Sequence, residues 1–140
     1  MNKLLLIEDD DVKAKDIMDF IKKEYHFDID RKDSITAGLR VINNNYDYIL
    51  LDMSLPRFSE NSLRNFEPFG GLEVIKEIER KQITTKIIII TQYALFGEGD
   101  IKKTLDDIKK QCFEYKVNLK DVIKYSRDSS SWKEQIKMYL

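Results

Sequence analysis

A single cysteine, Cys112, excludes an internal disulfide, and a single histidine, His26, leaves no Cys/His cluster to hold zinc or run Cys–His catalysis. Neither sign of charge dominates. With 24 basic and 25 acidic residues the net charge is −1, so nothing electrostatic favours nucleic acid or an anionic membrane as partner. No long apolar run is present at the start of the chain. Residues 4–7 are apolar, but Glu8, Asp9 and Asp10 cut the run off far short of a signal-peptide core or a spanning helix. No membrane partner and a cytoplasmic location are therefore expected. Prolines number 2 and glycines 5, and no repeat, low-complexity segment or linker is visible. At 140 residues the chain has the size of one domain, so residues 1–140 are expected to form one fold without an appended module.

What is there alternates. Residues 4–7, 48–51 and 87–90 are short apolar runs of the length and kind that strands buried on both faces require, which points to a parallel sheet. Between them run helical stripes. Ala14, Ile17, Met18, Ile21 and Tyr25 recur at helical spacing, as do Ile101, Leu105, Ile108 and Cys112. Weaker signals place a strand near residues 27–29, helices near 34–43 and 71–80, and a last strand near 121–125. Ser131, with Glu134 three residues on, reads as a capping box that starts the final helix. The order is strand then helix, five times over, which implies a doubly wound α/β fold with a five-stranded parallel sheet. In such folds ligands bind beyond the carboxyl ends of the strands.

Those ends carry oxygen-bearing side chains. Glu8, Asp9 and Asp10 follow the first strand, Asp52 the third, and Thr91 the fourth. Carboxylates gathered at one edge repel unless a cation lies among them, and an all-oxygen set suits Mg²⁺. The segments LLLIEDD (4–10) and YDYILLDMSLP (46–56), with Asp52 43 residues after Asp9 and Pro56 four after Asp52, resemble the receiver domains of two-component response regulators. The resemblance implies a flavodoxin-like (βα)5 fold and a phosphoacceptor role for Asp52. It makes Asp9 a direct Mg²⁺ ligand, Glu8 a carboxylate that holds the ion through water, and Ser54 a donor through its backbone carbonyl. Thr91 would hydrogen-bond the phosphoryl group and Lys124 would pair with it. The phosphoryl donor would be a phosphohistidine on a sensor histidine kinase or phosphotransfer protein, or a small acyl phosphate. Output would pass through an unidentified downstream protein or through a homodimer, across the surface of the fourth helix, last strand and last helix. The protein would be a phosphoacceptor in signalling rather than an enzyme with turnover.

The chain departs from that family in two places. Residues 57–69 are an insertion whose aromatic and arginine side chains either fold onto the domain or dock a partner. Thr91 and Lys124 stand 33 residues apart, wider than the family pattern, which suggests an extended fourth helix and leaves Lys116 as a rival to Lys124. Asp121 occupies the place of the family's aromatic relay residue, so Tyr93 or Tyr125 would have to carry the conformational change. His26 reads as a solvated side chain, Cys112 as a buried structural thiol and Trp132 as an anchor of the last helix. Lys102, Lys103, Lys109 and Lys110 read as the wet face of the fourth helix. A dehalogenase-like phosphatase would need an aspartate where Ser54 stands, and a nucleotide binder would need a Gly-rich loop in place of the acids. The remaining alternative is a receiver-fold interaction module that works without phosphorylation.

Overall fold

The computed structural model describes residues 2–59, 66–92, 95–96 and 103–140. The chain opens with β1 (Asn2–Ile7), α1 (Asp11–Glu24), β2 (Phe27–Lys32), α2 (Ile35–Val41) and β3 (Tyr48–Leu51). A small hairpin follows, β4 (Leu55–Pro56) with β5 (Phe66–Glu67), then α3 (Gly70–Arg80) and β6 (Lys86–Thr91). The remainder is β7 (Leu95–Phe96), β8 (Lys103–Thr104), α4 (Leu105–Cys112), β9 (Leu119–Lys124) and α5 (Ser131–Lys137). No helix among the described residues is long and apolar enough to cross a membrane.

The central sheet has five strands in the order β2-β1-β3-β6-β9, all parallel, as the apolar runs require. Side chains alternate across it. Leu5, Ile7, Ile49, Leu51, Ile87 and Ile89 share one buried cluster with Ile35 of α2, Ile75 and Ile78 of α3, and Ile108 and Cys112 of α4. Leu4, Leu6, Leu50, Ile88 and Ile90 share the other with Ala14, Ile17 and Ile21 of α1 and with Trp132 and Ile136 of α5. Burying each such Leu or Ile is worth on the order of 2 kcal/mol. Two filled cores, one per face, therefore fix the register of the central strands and bring the ends of β1, β3 and β6 side by side.

Several expectations need correction. The fourth helix is not extended: α4 has 8 residues, and Thr104 starts it. Thr104 Oγ1 accepts from the Asp107 N–H at 3.2 Å while the Asp107 carboxylate accepts from the Thr104 N–H at 3.0 Å, so the capping box stands here. The extra length before it includes the antiparallel pair of β7 and β8. At α5 the N-cap position is Ser130, without a side-chain cap bond. Ser131 is the first helical residue, and its N–H and hydroxyl both meet Ser129 Oγ, at 3.2 and 2.6 Å. Lys103 is not on the face of α4; it lies in β8, donates to Gln111 at 2.6 Å and stands over the Phe69 ring. Ile101, Lys102, Tyr93 and residues 60–65 of the insertion lie outside the described residues.

The described part of the insertion folds onto its own domain. Arg57 binds Glu67 at 2.6 and 2.7 Å and Glu73 at 2.9 and 3.0 Å, joining the hairpin to α3. Thr36 of α2 donates from its N–H and its hydroxyl to the Arg57 carbonyl. Phe69 packs on the core, whereas Phe58 and Phe66 stay exposed. His26 is exposed, Cys112 is buried and free, and Trp132 is buried edge-on to Phe20, as the sequence suggested.

Candidate functional site

Ile7 and Leu51 are partners in the β1–β3 register, so the residues that follow them emerge together at the carboxyl edge of the sheet. One carboxylate oxygen from each of Glu8, Asp9 and Asp52 lies within 4.8 Å of the others. Glu8 and Asp52 are buried and Asp9 is half-buried. A cleft of about 270 Å³ opens above them, lined by Glu8, Asp9, Asp10, Asp52, Ser54, Phe66 and Gln92. This donor set fits a hard divalent cation: it is all oxygen, convergent and partly open to water.

The backbone holds each acid in place. Asp10 is the N-cap of α1, accepting from the N–H groups of Val12 at 2.9 Å and Lys13 at 3.2 Å, so it caps rather than joins the cluster. Glu8 Oε2 accepts from the Asp10 N–H at 3.1 Å, and Asp52 Oδ1 from the Met53 N–H at 2.7 Å. From β2, Arg31 donates to the carbonyls of Glu8 and Asp9, both at 3.1 Å, and pairs with Asp11 at 2.9 Å. That clamp fixes the acidic turn from beneath. On the other side Gly71 donates its N–H to the Met53 carbonyl at 2.8 Å. A Cβ at Gly71 would stand 2.6 Å from the Asp52 carbonyl oxygen and 2.9 Å from Met53 Cα, so only glycine admits this approach of α3.

Thr91 ends β6, fully buried, and its hydroxyl has no hydrogen-bond partner among the described residues. Opposite it in register stands Lys124, the last residue of β9, with an exposed side chain. Lys116 lies between α4 and β9, hence at the far, amino edge of the sheet, where its N–H donates to Glu79 at 2.5 Å. Asp121, in the relay position, pairs with Lys109 at 3.1 Å and accepts from the Tyr139 hydroxyl at 2.8 Å.

The sequence reading missed the cation nearest the cluster. Lys13, in the first turn of α1, is 1% exposed. Its Nζ lies 2.5 Å from Glu8 Oε1 and 3.4 Å from Asp52 Oδ2, and donates to the Ile90 carbonyl at 2.8 Å. A signal was available. Lys13 precedes Ile17 by four residues and so lies on the buried face of α1, where a charged side chain needs a partner. Burial pushes the Glu8 carboxyl well above the usual carboxylate range; Lys13 opposes that rise and Asp52 adds to it.

Comparison with known proteins agrees with the fold. A family model described as the response regulator receiver domain matches residues 4–111, ending before β9. The chain is 30% identical over 142 residues to the uncharacterized protein y4jR of Sinorhizobium fredii, covering 96% of this chain and 94% of that one. It is 25% identical over 142 residues to the Detocs response regulatory protein DtcB of Enterobacter cloacae, covering 96% and 95%. The response regulator protein TrrA of Thermotoga maritima, solved in complex with Mg²⁺ and BeF, superposes with a TM-score of 0.62 over 100% of both chains at 21% identity. At that identity the likeness speaks for the fold.

Proposed function

The chain belongs to the response regulator receiver domain family, and from that membership we propose that it accepts a phosphoryl group on Asp52 in a reaction that requires Mg²⁺. The observation that carries the reading is the convergence of Glu8, Asp9 and Asp52 to within 4.8 Å at the carboxyl edge of the sheet. Asp9 and Asp52, with the Ser54 carbonyl, would hold the ion directly and Glu8 through water. Bound there, Mg²⁺ supplies positive charge to the phosphoryl oxygens.

Asp52 attacks phosphorus with a carboxylate oxygen. The phosphorus–nitrogen bond to the donor imidazole breaks, and its electron pair stays on the imidazole. No general base is needed, because the attacking carboxylate carries no proton to remove. The Thr91 hydroxyl, buried and without a partner among the described residues, can donate to a phosphoryl oxygen. Lys124, the register partner of Thr91, would add positive charge to the phosphoryl group. The donor in this reading is a phosphohistidine on a sensor histidine kinase or phosphotransfer protein, and output passes to another protein.

Acetyl phosphate tests this on the full chain by intact-mass spectrometry. The expected result is one added phosphoryl group with Mg²⁺, none with excess chelator, and none in Asp52→Asn. Equal phosphate uptake by Asp52→Asn would remove the assignment. No uptake by the wild-type chain would favour an interaction module independent of phosphorylation.

A further inference from the structure

The backbone N–H groups of Asp10 and Met53 engage one oxygen each of Glu8 and Asp52, namely Glu8 Oε2 and Asp52 Oδ1. The remaining oxygens, Glu8 Oε1 and Asp52 Oδ2, both face Lys13 Nζ, at 2.5 and 3.4 Å. Lys13 is held there from behind by the Ile90 carbonyl at 2.8 Å and lies 5.6 Å from the centre of the Tyr125 ring. An ammonium so confined cannot swing out to water as a surface lysine does. A divalent ion entering the cluster meets a fixed positive charge on the oxygens it needs.

We propose that Lys13 is a resident counter-cation of the acidic cluster, competing with the divalent ion for Glu8 and Asp52 and so setting how tightly this chain binds it. The inference rests on the metal-site reading given above. Without the ion, the single charge of Lys13 faces both buried acids and offsets part of the repulsion between them. With it, Lys13 must share or surrender Glu8 Oε1 and Asp52 Oδ2. The chain therefore has a stable ion-free state and gives up metal affinity to keep it.

Titration calorimetry of the full chain with MgCl₂ alone, paired with thermal unfolding in chelator and in saturating Mg²⁺, tests the inference. Lys13→Met keeps the length and apolar stem without the charge; Lys13→Gln also keeps a donor for Ile90. Both should bind Mg²⁺ more tightly than wild type by about tenfold or more, since two cations about 4 Å apart repel appreciably even with water-like screening. Both should unfold earlier than wild type in chelator and recover in Mg²⁺. Lys15→Met removes one charge from the exposed face of the same helix and should match wild type. Unchanged or weaker Mg²⁺ binding by both Lys13 variants would overturn the inference while leaving the metal site standing. So would failure of both to fold in saturating Mg²⁺, because the ion is then no substitute for the lysine. Absence of Mg²⁺ binding in every protein would overturn the metal-site reading and this inference with it.

Discussion

Burial does different things to the ionisable side chains of this domain. Glu8, desolvated beside Asp52, keeps an ionic partner in Lys13. Cys112 has none among the described residues: packed among Ile108, Leu119 and other apolar side chains, its thiol is pushed up to about 12 by burial. The thiolate is the reactive form, so Cys112 should resist maleimide in the native protein at neutral pH and react fully in denaturant. Native labelling at the denatured rate would show that α4 does not stay closed over the sheet. Lys13 marks where residue-level reading of the sequence ran short. Apolar periodicity locates a buried face but says nothing of a charge admitted to it, because the partners of that charge, Glu8, Asp52 and the Ile90 carbonyl, come from three other segments of the chain.

At the scale of elements, the junction of β3 and α3 has the least tolerance. The close approach of Gly71 to the backbone of Asp52 and Met53 cannot be relieved by a side-chain rotation. Gly71→Ala should therefore destabilise the domain by about 1–3 kcal/mol through overpacking. It should also slow phosphoryl uptake by displacing Asp52. An unchanged urea midpoint together with normal uptake would contradict the packing account. The central strands were legible in the sequence because continuous apolar runs have little other use, and the ends of those strands gave the acids of the site. The stretches before α4 and α5 were less legible. Short polar side chains compete there for the same backbone donors: Ser129 accepts from the Ser131 N–H, the Glu134 N–H goes to the Ser130 carbonyl rather than to a Ser131 cap, and Thr104 with Asp107 caps α4 instead. The hairpin of β4 and β5 escaped notice for a similar reason. Its two-residue strands depend on Arg57 reaching Glu67 and Glu73, a long-range arrangement that leaves no period in the sequence.

Across the whole molecule, one chain of contacts leads from the acidic cluster to the last helix. Tyr125 donates its N–H to the Thr91 carbonyl at 2.8 Å, presents its ring to Lys13 at 5.6 Å, and donates its hydroxyl to Asp16 at 2.8 Å. Its ring centre lies 5.3 Å from that of Trp132, the single tryptophan of the chain. These contacts would carry a movement of Thr91 or Lys13 to Trp132 through one intervening ring. Binding of beryllofluoride with Mg²⁺ should change Trp132 emission, and Tyr125→Leu should weaken the change. Unaltered emission in a protein shown by mass to hold the ligand would mean that binding at the acidic cluster does not reach α5 through Tyr125.

The central claim, that Asp52 carries the phosphoryl group, is tested most directly by chemistry at the residue itself. Borohydride reduces an aspartyl phosphate to homoserine, which peptide mass spectrometry locates without recourse to a mutant. After treatment with acetyl phosphate and Mg²⁺, homoserine is expected at position 52 and nowhere else in the chain. Homoserine at Glu8's neighbour Asp9, at any other aspartate, or at none while the intact mass still rises, would contradict the account.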